Sequence, residues 1–166
     1  MVHPKRPRYL DSPFTPRIVK FASKAQAFVY RTTGGRVGGQ WRLKSAFRKP
    51  VPILLLEHTG RKSGRKFTTP LAYVRQAEDI VVAASQGGAA ENPQWYRNLR
   101  AHPEARVQIG TEYVAVVARV AEASERTDLW SMLVTAYSGF ADYQSWTDRE
   151  IPVVVLEQDR RSDPKS

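Results

Sequence analysis

The chain of 166 residues contains no cysteine, which excludes disulfide bonds, thiolate-bound metals and a cysteine nucleophile. Its three histidines, His3, His58 and His102, are far apart in sequence, so no metal site is expected. No apolar run approaches the roughly 18–20 residues that span a bilayer, and the N-terminus lacks the apolar core of a signal peptide. The sequence therefore predicts a cytoplasmic protein and leaves open a peripheral contact with the inner face of the cell membrane.

Acidic residues are almost missing from the first fifty positions. This segment carries twelve Lys and Arg residues against the single acid Asp11, whereas the whole chain has a net charge of +10, so residues 51–166 are close to neutral. Such asymmetry predicts that the basic segment meets an acidic surface, either phospholipid or nucleic acid. Nucleic acid is the less favoured partner, because the rest of the chain has neither a basic face nor an aromatic-bearing strand of the RNA-binding type.

Residues 17–31 of this basic segment have the pattern of an amphipathic helix. Apolar residues recur at intervals of three and four, and Arg17, Lys20 and Lys24 fall on the opposite side. Such a helix suits an anionic membrane surface. It would equally suit a helix whose apolar face packs on the rest of the protein, and the pattern leaves both open. Residues 34–39 are rich in glycine and predict a flexible link, so that residues 1–48 form a basic N-terminal arm.

Residues 49–158 predict one α+β domain built on a small antiparallel β-barrel. The connections between strand patterns are too short for parallel crossovers, and closure removes exposed edges. Asn92 as N-cap, with Pro93 in the first turn, predicts a helix to about residue 101, and Ser124 with Glu125 predicts a second helix to about residue 137. Residues 159–166 predict a disordered tail. The predicted strands are Ile53–Glu57, Thr68–Arg75, Ile80–Ser85, Ala105–Ile109, Tyr113–Val120 and Pro152–Glu157.

Three neighbouring segments carry residues suited to a flat ligand with an anionic end. In the turn Gly60–Lys66, glycines let the backbone approach an anion while basic side chains donate charge-assisted hydrogen bonds, although such residues are also ordinary in exposed turns. Ala83–Gly88 places small residues at a strand end, which either admits a ring or simply forms a tight turn. Asn92–Tyr96 opens a helix whose free N–H groups can hold an anion, while Trp95 and Tyr96 are equally suited to the core.

Aromatic residues recur every three positions between residues 137 and 146. Tyr137, Phe140, Tyr143 and Trp146 would line one side of a helical segment. They suit the wall of an apolar pocket in which tyrosine hydroxyls orient an oxygen or give it a proton. Stripes of this kind are also common in protein cores, and the pattern alone does not distinguish the two.

Taken in order, these segments resemble the deazaflavin-dependent nitroreductase and quinone reductase family over roughly residues 50–157. The resemblance implies a split β-barrel of the flavin-reductase and FMN-binding type. It also implies coenzyme F420 as hydride carrier, and reduction of quinones, menaquinone included, or of nitroaromatic compounds. The matching motifs are Thr-Gly-Arg-Lys-Ser-Gly (59–64), Thr-Thr-Pro-Leu (68–71), Val-Ala-Ala-Ser-Gln-Gly-Gly (82–88), Asn-Pro-Gln-Trp-Tyr-Arg-Asn-Leu (92–99), His-Pro (102–103) and Asp-Tyr-Gln-Ser-Trp-Thr-Asp-Arg-Glu-Ile-Pro (142–152).

The same resemblance implies roles for individual residues. Substrate contacts fall to Ser85, Tyr137, Phe140 and Tyr143, and the proton that follows the hydride would come from water or from Ser85, Tyr137 or Tyr143, the catalytic candidates. The basic turn would hold the phosphate and acidic tail of the cofactor. The residues implied in cofactor binding are Arg61, Lys62, Ser63, Phe67, Thr68, Thr69, Pro70, Leu71, Ala72, Ala83, Ala84, Ser85, Gln86, Gln94, Trp95, Tyr96, Arg97 and Asn98.

Three positions depart from the family pattern. Phe67 stands in place of an arginine, so Arg65 or Lys66 would take over its anion contact, and Gln86 stands in place of a lysine. Phe140 replaces a tyrosine of the nitroimidazole-active relative, which favours quinone reduction over prodrug activation. An FMN-dependent reductase with the same barrel stays open as an alternative, as does a non-catalytic protein that binds deazaflavin or another acidic ligand at the membrane surface. The oligomeric state is also left open.

Overall fold

The computed structural model of the chain describes residue 25 and residues 27–34, 40–41 and 51–160. Most of the predicted helix 17–31, most of the glycine-rich link 34–39 and the greater part of the tail 159–166 lie outside the described residues. Within them, α1 includes residues 25 and 27–33. The other helices are α2 (Gln94–Ala101), α3 (Ala123–Ala136) and α4 (Gly139–Ser145). No described helix is both long enough and apolar enough to cross a membrane.

The strands form one curled antiparallel sheet. They run in the order β1-β2-β6-β7-β8-β5-β4, and β3 pairs with β2. Because β3 and β4 lie at distant places in this order and only Tyr73 separates them in the chain, the sheet curls round on itself. The strands are β1 (Gln40–Trp41), β2 (Val51–Thr59), β3 (Lys66–Ala72), β4 (Val74–Gln76), β5 (Asp79–Ala83), β6 (Glu104–Ile109), β7 (Glu112–Val120) and β8 (Val153–Gln158).

Two apolar clusters lie on opposite faces of this sheet. The inner cluster fills the barrel with aliphatic side chains such as Leu54, Leu56 and Val107, and α2 adds Trp95, Tyr96 and Leu99 to it. The outer cluster packs α3 and α4 on β5 and β8. Alternation along the strands separates the two sets of side chains, as in a sheet covered on both faces.

The N-terminal helix α1 packs on the outside of the barrel. Ala27 and Tyr30 are buried against Leu55. The Tyr30 hydroxyl donates to the Ile53 carbonyl at 3.1 Å and accepts from the Gly110 N–H at 2.8 Å. Phe28 and Val29, on the other side of the helix, remain 70% and 38% exposed. Packing on the barrel, one of the two alternatives for this helix, therefore holds for its described part, and an exposed apolar edge remains.

The predicted barrel is confirmed, with several local corrections. The predicted strand Thr68–Arg75 is two strands, because the chain bends at the buried Tyr73. The helix predicted to begin at Asn92 has Pro93 as its N-cap. Glu122 caps α3 through a reciprocal capping box with Glu125, so Ser124 lies inside the helix. The aromatic segment contains the helix α4, in line with its predicted helical spacing, whereas β1 had not been predicted.

Candidate active site

The residues that the sequence singles out lie along β3 and at its two ends. The turn Gly60–Lys66 leads into this strand. The last residue of the strand, Ala72, packs against the outer cluster. Six residue steps separate Lys66 from Ala72, which is about 20 Å at about 3.4 Å per residue. A basic region and an aromatic region are thus held at a fixed separation by one strand.

The basic turn is tied together through its glycines. The Gly60 N–H donates to the Arg65 carbonyl and the Gly64 N–H to the Gly60 carbonyl, both at 2.8 Å. Gly64 has φ +66 and no atom within 4 Å of the position of a Cβ, so its backbone faces open space. Lys62 and Arg65 are exposed beside it. This arrangement leaves cationic side chains and bare backbone available to an anion.

A chain of hydrogen bonds connects this turn to α2 and back to β3. The Asn98 Oδ1 atom accepts from the Arg61 backbone N–H at 3.1 Å, and the Asn98 Nδ2 atom lies 3.1 Å from His58 Nδ1. The His58 Nε2 atom lies 3.1 Å from Thr69 Oγ1. The Arg61 guanidinium also donates to Gln94 Oε1 at 2.7 Å. We call Arg61, Asn98, His58 and Thr69 the polar relay.

His58 is a buried member of the relay, and burial changes its pKa. It is 3% exposed, and burial lowers its pKa from 6.5 to about 4. Its ring stacks on Phe67 with a centroid distance of 5.9 Å. Burial disfavours the charged imidazolium, so His58 is neutral at physiological pH. Phe67, the residue in place of a family arginine, thus forms an apolar wall and is still 44% exposed.

The outer face of β3 is a strip of small side chains between α1 and α4. Cross-strand pairing places Thr68 opposite Glu57, Pro70 opposite Leu55 and Ala72 opposite Ile53. Opposite residues in an antiparallel pair project to the same face. Arg31 of α1 donates to Thr68 Oγ1 at 2.9 Å and forms an ion pair with Glu57, which fixes the helix beside this strip.

The aromatic end of the strip is built by α3, α4 and their connection. The hydroxyl oxygens of Tyr137 and Tyr143 lie 2.7 Å apart. Phe140 contacts both rings, with centroid distances of 5.0 and 6.1 Å. Gly139 is required here, because a Cβ at this position would lie 2.1 Å from the Tyr137 ring. Ala72 and Ala83 belong to the same outer cluster, so the predicted small and aromatic residues come together.

Arg149 holds the loop between β5 and α2. Its guanidinium donates to the carbonyls of Ala84 (3.2 Å), Ser85 (2.9 Å) and Ala89 (2.9 Å) and to Asn92 Oδ1 (2.7 Å). Burial lowers the pKa of Arg149. The loop needs such support because Gln86, Gly87 and Gly88 are consecutive residues with positive φ, and only glycine adopts this conformation without cost.

The remaining predicted residues divide between the surface and the core. Gln86 and Gln94 are exposed, and Arg97 is half-buried in an ion pair with Glu91. Trp95 and Tyr96 lie in the inner cluster, the role that the sequence left open beside ligand binding. Lys66 donates to Thr59 Oγ1 at 2.8 Å, and Ser63 Oγ accepts from the Arg65 N–H. Leu71 lines the inner cluster, and Ala84 and Pro70 are buried.

This arrangement fits a flat cofactor with an acidic tail. The outer strip has small side chains, the turn beside it offers cations and open backbone, and the far end offers aromatic rings. No cluster of three or more His, Asp or Glu residues suited to a metal occurs within the described ranges. The fold and the site therefore define the class of the protein as a small barrel suited to a flat organic cofactor with an acidic tail.

Comparison with known proteins identifies the family. The chain matches the sequence model of the F420H(2)-dependent quinone reductase family over residues 22–158 and belongs to this family. Its cofactor is accordingly coenzyme F420, and its activity is that of an F420H2-dependent quinone reductase.

Three relatives illustrate the match. Rv3178 of Mycobacterium tuberculosis, provisionally named an F420H(2)-dependent quinone reductase, is 52% identical over 115 residues, which cover 69% of this chain and 97% of the relative. Rv1261c of the same organism, named an F420H(2)-dependent quinone reductase, is 36% identical over 131 residues, covering 77% and 84%. A solved F420-H2 dependent reductase, FDR-A, is 41% identical with a TM-score of 0.60, covering 64% and 94%.

Two residues of this site had no predicted role. His58 had been considered only as a metal ligand, although its position next to the basic turn is visible in the sequence. Arg149 lies in the Asp-Arg-Glu-Ile-Pro motif, but its partners are 57–65 residues away in the chain. A local pattern does not show such contacts, so only the folded chain reveals them.

Proposed function

We propose that the enzyme transfers a hydride from reduced F420 to a menaquinone-like quinone at the cytoplasmic face of the membrane, with nitroaromatic compounds as a second class of acceptor. The observation that carries this proposal is the placement of the basic turn and the aromatic cluster at opposite ends of β3. An acidic tail at the turn would leave the ring of the cofactor beside Ala72 and Ala83. An acceptor ring would then meet Tyr137, Phe140 and Tyr143.

The bound cofactor supplies the hydride, and the protein's residues bind the cofactor, align the two rings and deliver the proton. Lys62 and Arg65 attract the acidic tail, and the backbone at Gly64 allows its close approach. The outer strip and the aromatic cluster exclude water and align two flat rings, which lowers the entropic cost of the encounter.

We assign to the tyrosine pair the delivery of the proton that must follow the hydride. The Tyr137 and Tyr143 hydroxyls lie 2.7 Å apart, so a proton given up by one is replaced from the other. A half-buried Tyr143 connects this pair to solvent, whereas Tyr137 is 8% exposed. Ser85, on the loop held by Arg149, is a second donor.

Cofactor preference is tested by titration. F420 and FMN are titrated separately against the purified chain, with absorbance or fluorescence as the signal. The proposal requires tighter binding of F420. Arg61→Ala and Lys62→Ala should weaken binding by about tenfold each, the equivalent of about 1.4 kcal/mol, whereas Arg75→Ala on β4 should leave it unchanged. Preference for FMN would overturn the proposal.

Acceptor reduction is tested by stopped-flow oxidation of enzyme-bound F420H2 with a soluble menaquinone analogue. Tyr143→Phe should lower the rate by about 10²-fold, the lower range for a positioned proton donor, and leave F420 affinity unchanged. Phe140→Tyr should raise the rate with a nitroimidazole relative to the quinone. Absence of any oxidation in the unsubstituted enzyme would leave only a binding function.

Membrane contact is supported by the exposed edge of α1. Phe28 and Val29 present apolar surface on the N-terminal segment of residues 1–50, which carries twelve Lys and Arg residues against a single acid. Co-sedimentation with anionic liposomes should decrease in a Phe28→Ser/Val29→Ser variant and in a chain lacking residues 1–48. Val120→Ser is a matched control, since Val120 on β7 is 37% exposed. Equal sedimentation of all four chains would refute the anchor.

A further inference from the structure

Arg31, on α1, reaches the outer strip at Thr68. Its Nη2 group donates to Thr68 Oγ1 at 2.9 Å and to the Glu57 carboxylate. The Arg31 side chain is 45% exposed, and within the described residues its Nε and Nη1 groups have no hydrogen-bond partner. One nitrogen of the guanidinium therefore fixes its position beside the strip, and N–H groups remain for a ligand that lies there.

The charges in this part of the outer face do not cancel. Glu57 also accepts two hydrogen bonds from the Arg106 guanidinium, at 2.6 and 2.9 Å, so a single carboxylate is shared by two cations. The register of β2 with its two neighbours places Thr68, Glu57 and Arg106 in one row on the same face. The group of Arg31, Glu57 and Arg106 thus keeps one positive charge in excess, which favours an anion on the adjoining strip.

Thr68 lies between the two ends of the strip. It is two residues beyond Lys66, about 7 Å, and four residues before Ala72, about 14 Å. In the proposed function the ring of the cofactor lies beside Ala72 and its acidic tail lies at the basic turn. The phosphate group that joins the ring portion to the tail must then cross the strip between them. Arg31 extends the cations of the turn along this path.

We infer that Arg31 is a cofactor-binding residue that pairs with the phosphate of bound F420. The inference rests on the proposed placement of the cofactor and adds to it a contact from the basic N-terminal arm, outside the motifs of residues 59–152. A guanidinium offers phosphate two parallel N–H donors, whereas a lysine offers only a point charge. Thr68 and Glu57 already hold the guanidinium in the free protein, so less side-chain freedom is lost on binding.

Three deazaflavins of increasing length test this contact. The first has only the ring and its sugar-alcohol chain, the second adds the phosphate but no glutamates, and the third is complete F420. Each is titrated against the full-length protein and against Arg31→Met, with fluorescence as the signal. Arg31→Met should weaken binding of the second and the third by about tenfold, as expected for a lost charge-assisted pair, and leave the first unchanged. Arg31→Lys should recover part of the loss.

Two further variants separate ligand binding from anchoring of α1. Glu57→Gln removes the ion pair of Arg31 and should keep or raise F420 affinity, because the carboxylate competes with the phosphate for the guanidinium. If Arg31 served only to anchor the helix, Glu57→Gln would weaken binding as Arg31→Met does. Arg106→Met is the matched control, since Arg106 lies two strand spacings, about 10 Å, from Thr68. It should change F420 affinity by about twofold at most.

The results distinguish this inference from the function on which it rests. Unchanged F420 affinity in Arg31→Met, or equal losses for all three deazaflavins, would overturn the inference alone. A loss in Glu57→Gln or in Arg106→Met as large as that in Arg31→Met would overturn it as well. Failure of the unsubstituted protein to bind F420 would instead overturn the proposed function and this contact with it. All titrations are made below the midpoint of thermal unfolding of each variant.

Discussion

Burial of His58 should lower the stability of the folded protein in acid. A substitution of His58 should remove this effect. In the folded state, burial holds the pKa of His58 at about 4, against 6.5 for an exposed imidazole. The groups around it are the neutral Asn98 and Thr69, the Phe67 ring and, hydrogen-bonded to the same Asn98, the positive Arg61. None of these groups stabilises an imidazolium, so protonation opposes folding.

The sign and size of the effect follow from proton linkage. Above pH 6.5 His58 is neutral in both states and contributes nothing to the pH dependence. As the pH falls from 6.5 to about 4, the unfolded chain takes up a proton that the folded chain does not, so stability decreases. At about 1.4 kcal/mol for each pH unit, the loss amounts to about 3 kcal/mol. The loss is complete once the folded His58 is protonated.

The assay compares urea unfolding, followed by tryptophan fluorescence, at about pH 7 and about pH 4. Carboxylates titrate in every variant, so the decisive quantity is the difference between wild type and His58→Gln at the two pH values. His58→Phe provides a second side chain that cannot titrate. Wild type should lose about 3 kcal/mol more than either variant. Parallel losses in all three proteins would refute the argument that burial keeps His58 neutral.

Other substitutions test the loop and the aromatic end. Gly88→Ala should destabilise the protein by about 3 kcal/mol in chemical unfolding, since its Cβ would lie 2.8 Å from the Tyr143 carbonyl. Gly64→Ala should cost only about 1 kcal/mol, because Gly64 also has a positive φ but its Cβ would meet no atom within 4 Å. Arg149→Met should lower kcat more than F420 affinity and destabilise the fold by about 3 kcal/mol, because the Ala84 and Ala89 carbonyls lose the guanidinium donor and the Ser85 carbonyl keeps only the Gly88 N–H. Arg149→Lys should recover part of both, and an unchanged kcat in Arg149→Met would contradict this role. Gly139→Ala should displace the Tyr137 ring and slow proton delivery, and an unchanged rate of quinone reduction would argue against the tyrosine pair.

Strands and barrel were predictable because their signals are local. Alternating Val and Ala residues in β7 and the apolar run in β2 indicate half-buried and buried strands without knowledge of their partners. The bend at Tyr73 was not predictable. Thr68–Arg75 has a continuous strand pattern, and the chain turns there only because β3 and β4 join strands that lie apart in the sheet order.

The two ends of the candidate site were recognisable for a similar reason, since each is a contiguous motif. The basic turn and the aromatic residues 137–146 each occupy about ten residues or fewer of the chain. The parts that set their geometry are not contiguous. Arg149 reaches back to Ala84 and Ser85, and His58 connects to Asn98 forty positions away. Motifs therefore indicate candidate ligand contacts, whereas the residues that orient those groups depend on tertiary contacts.

Orientation matters here because the only acid–base step proposed for the protein is the delivery of one proton. A bound hydride carrier does the difficult step, so the rate depends on how well two rings are aligned and on where one proton is held. In the proposed function the tyrosine pair holds this proton, and Arg149, whose charge is turned onto backbone carbonyls, holds the loop next to the rings. The cations of the basic turn lie instead at the other end of β3, about 20 Å from Ala72. In the proposed function, that separation allows the acidic tail of the cofactor to bind without a strong charge beside the acceptor.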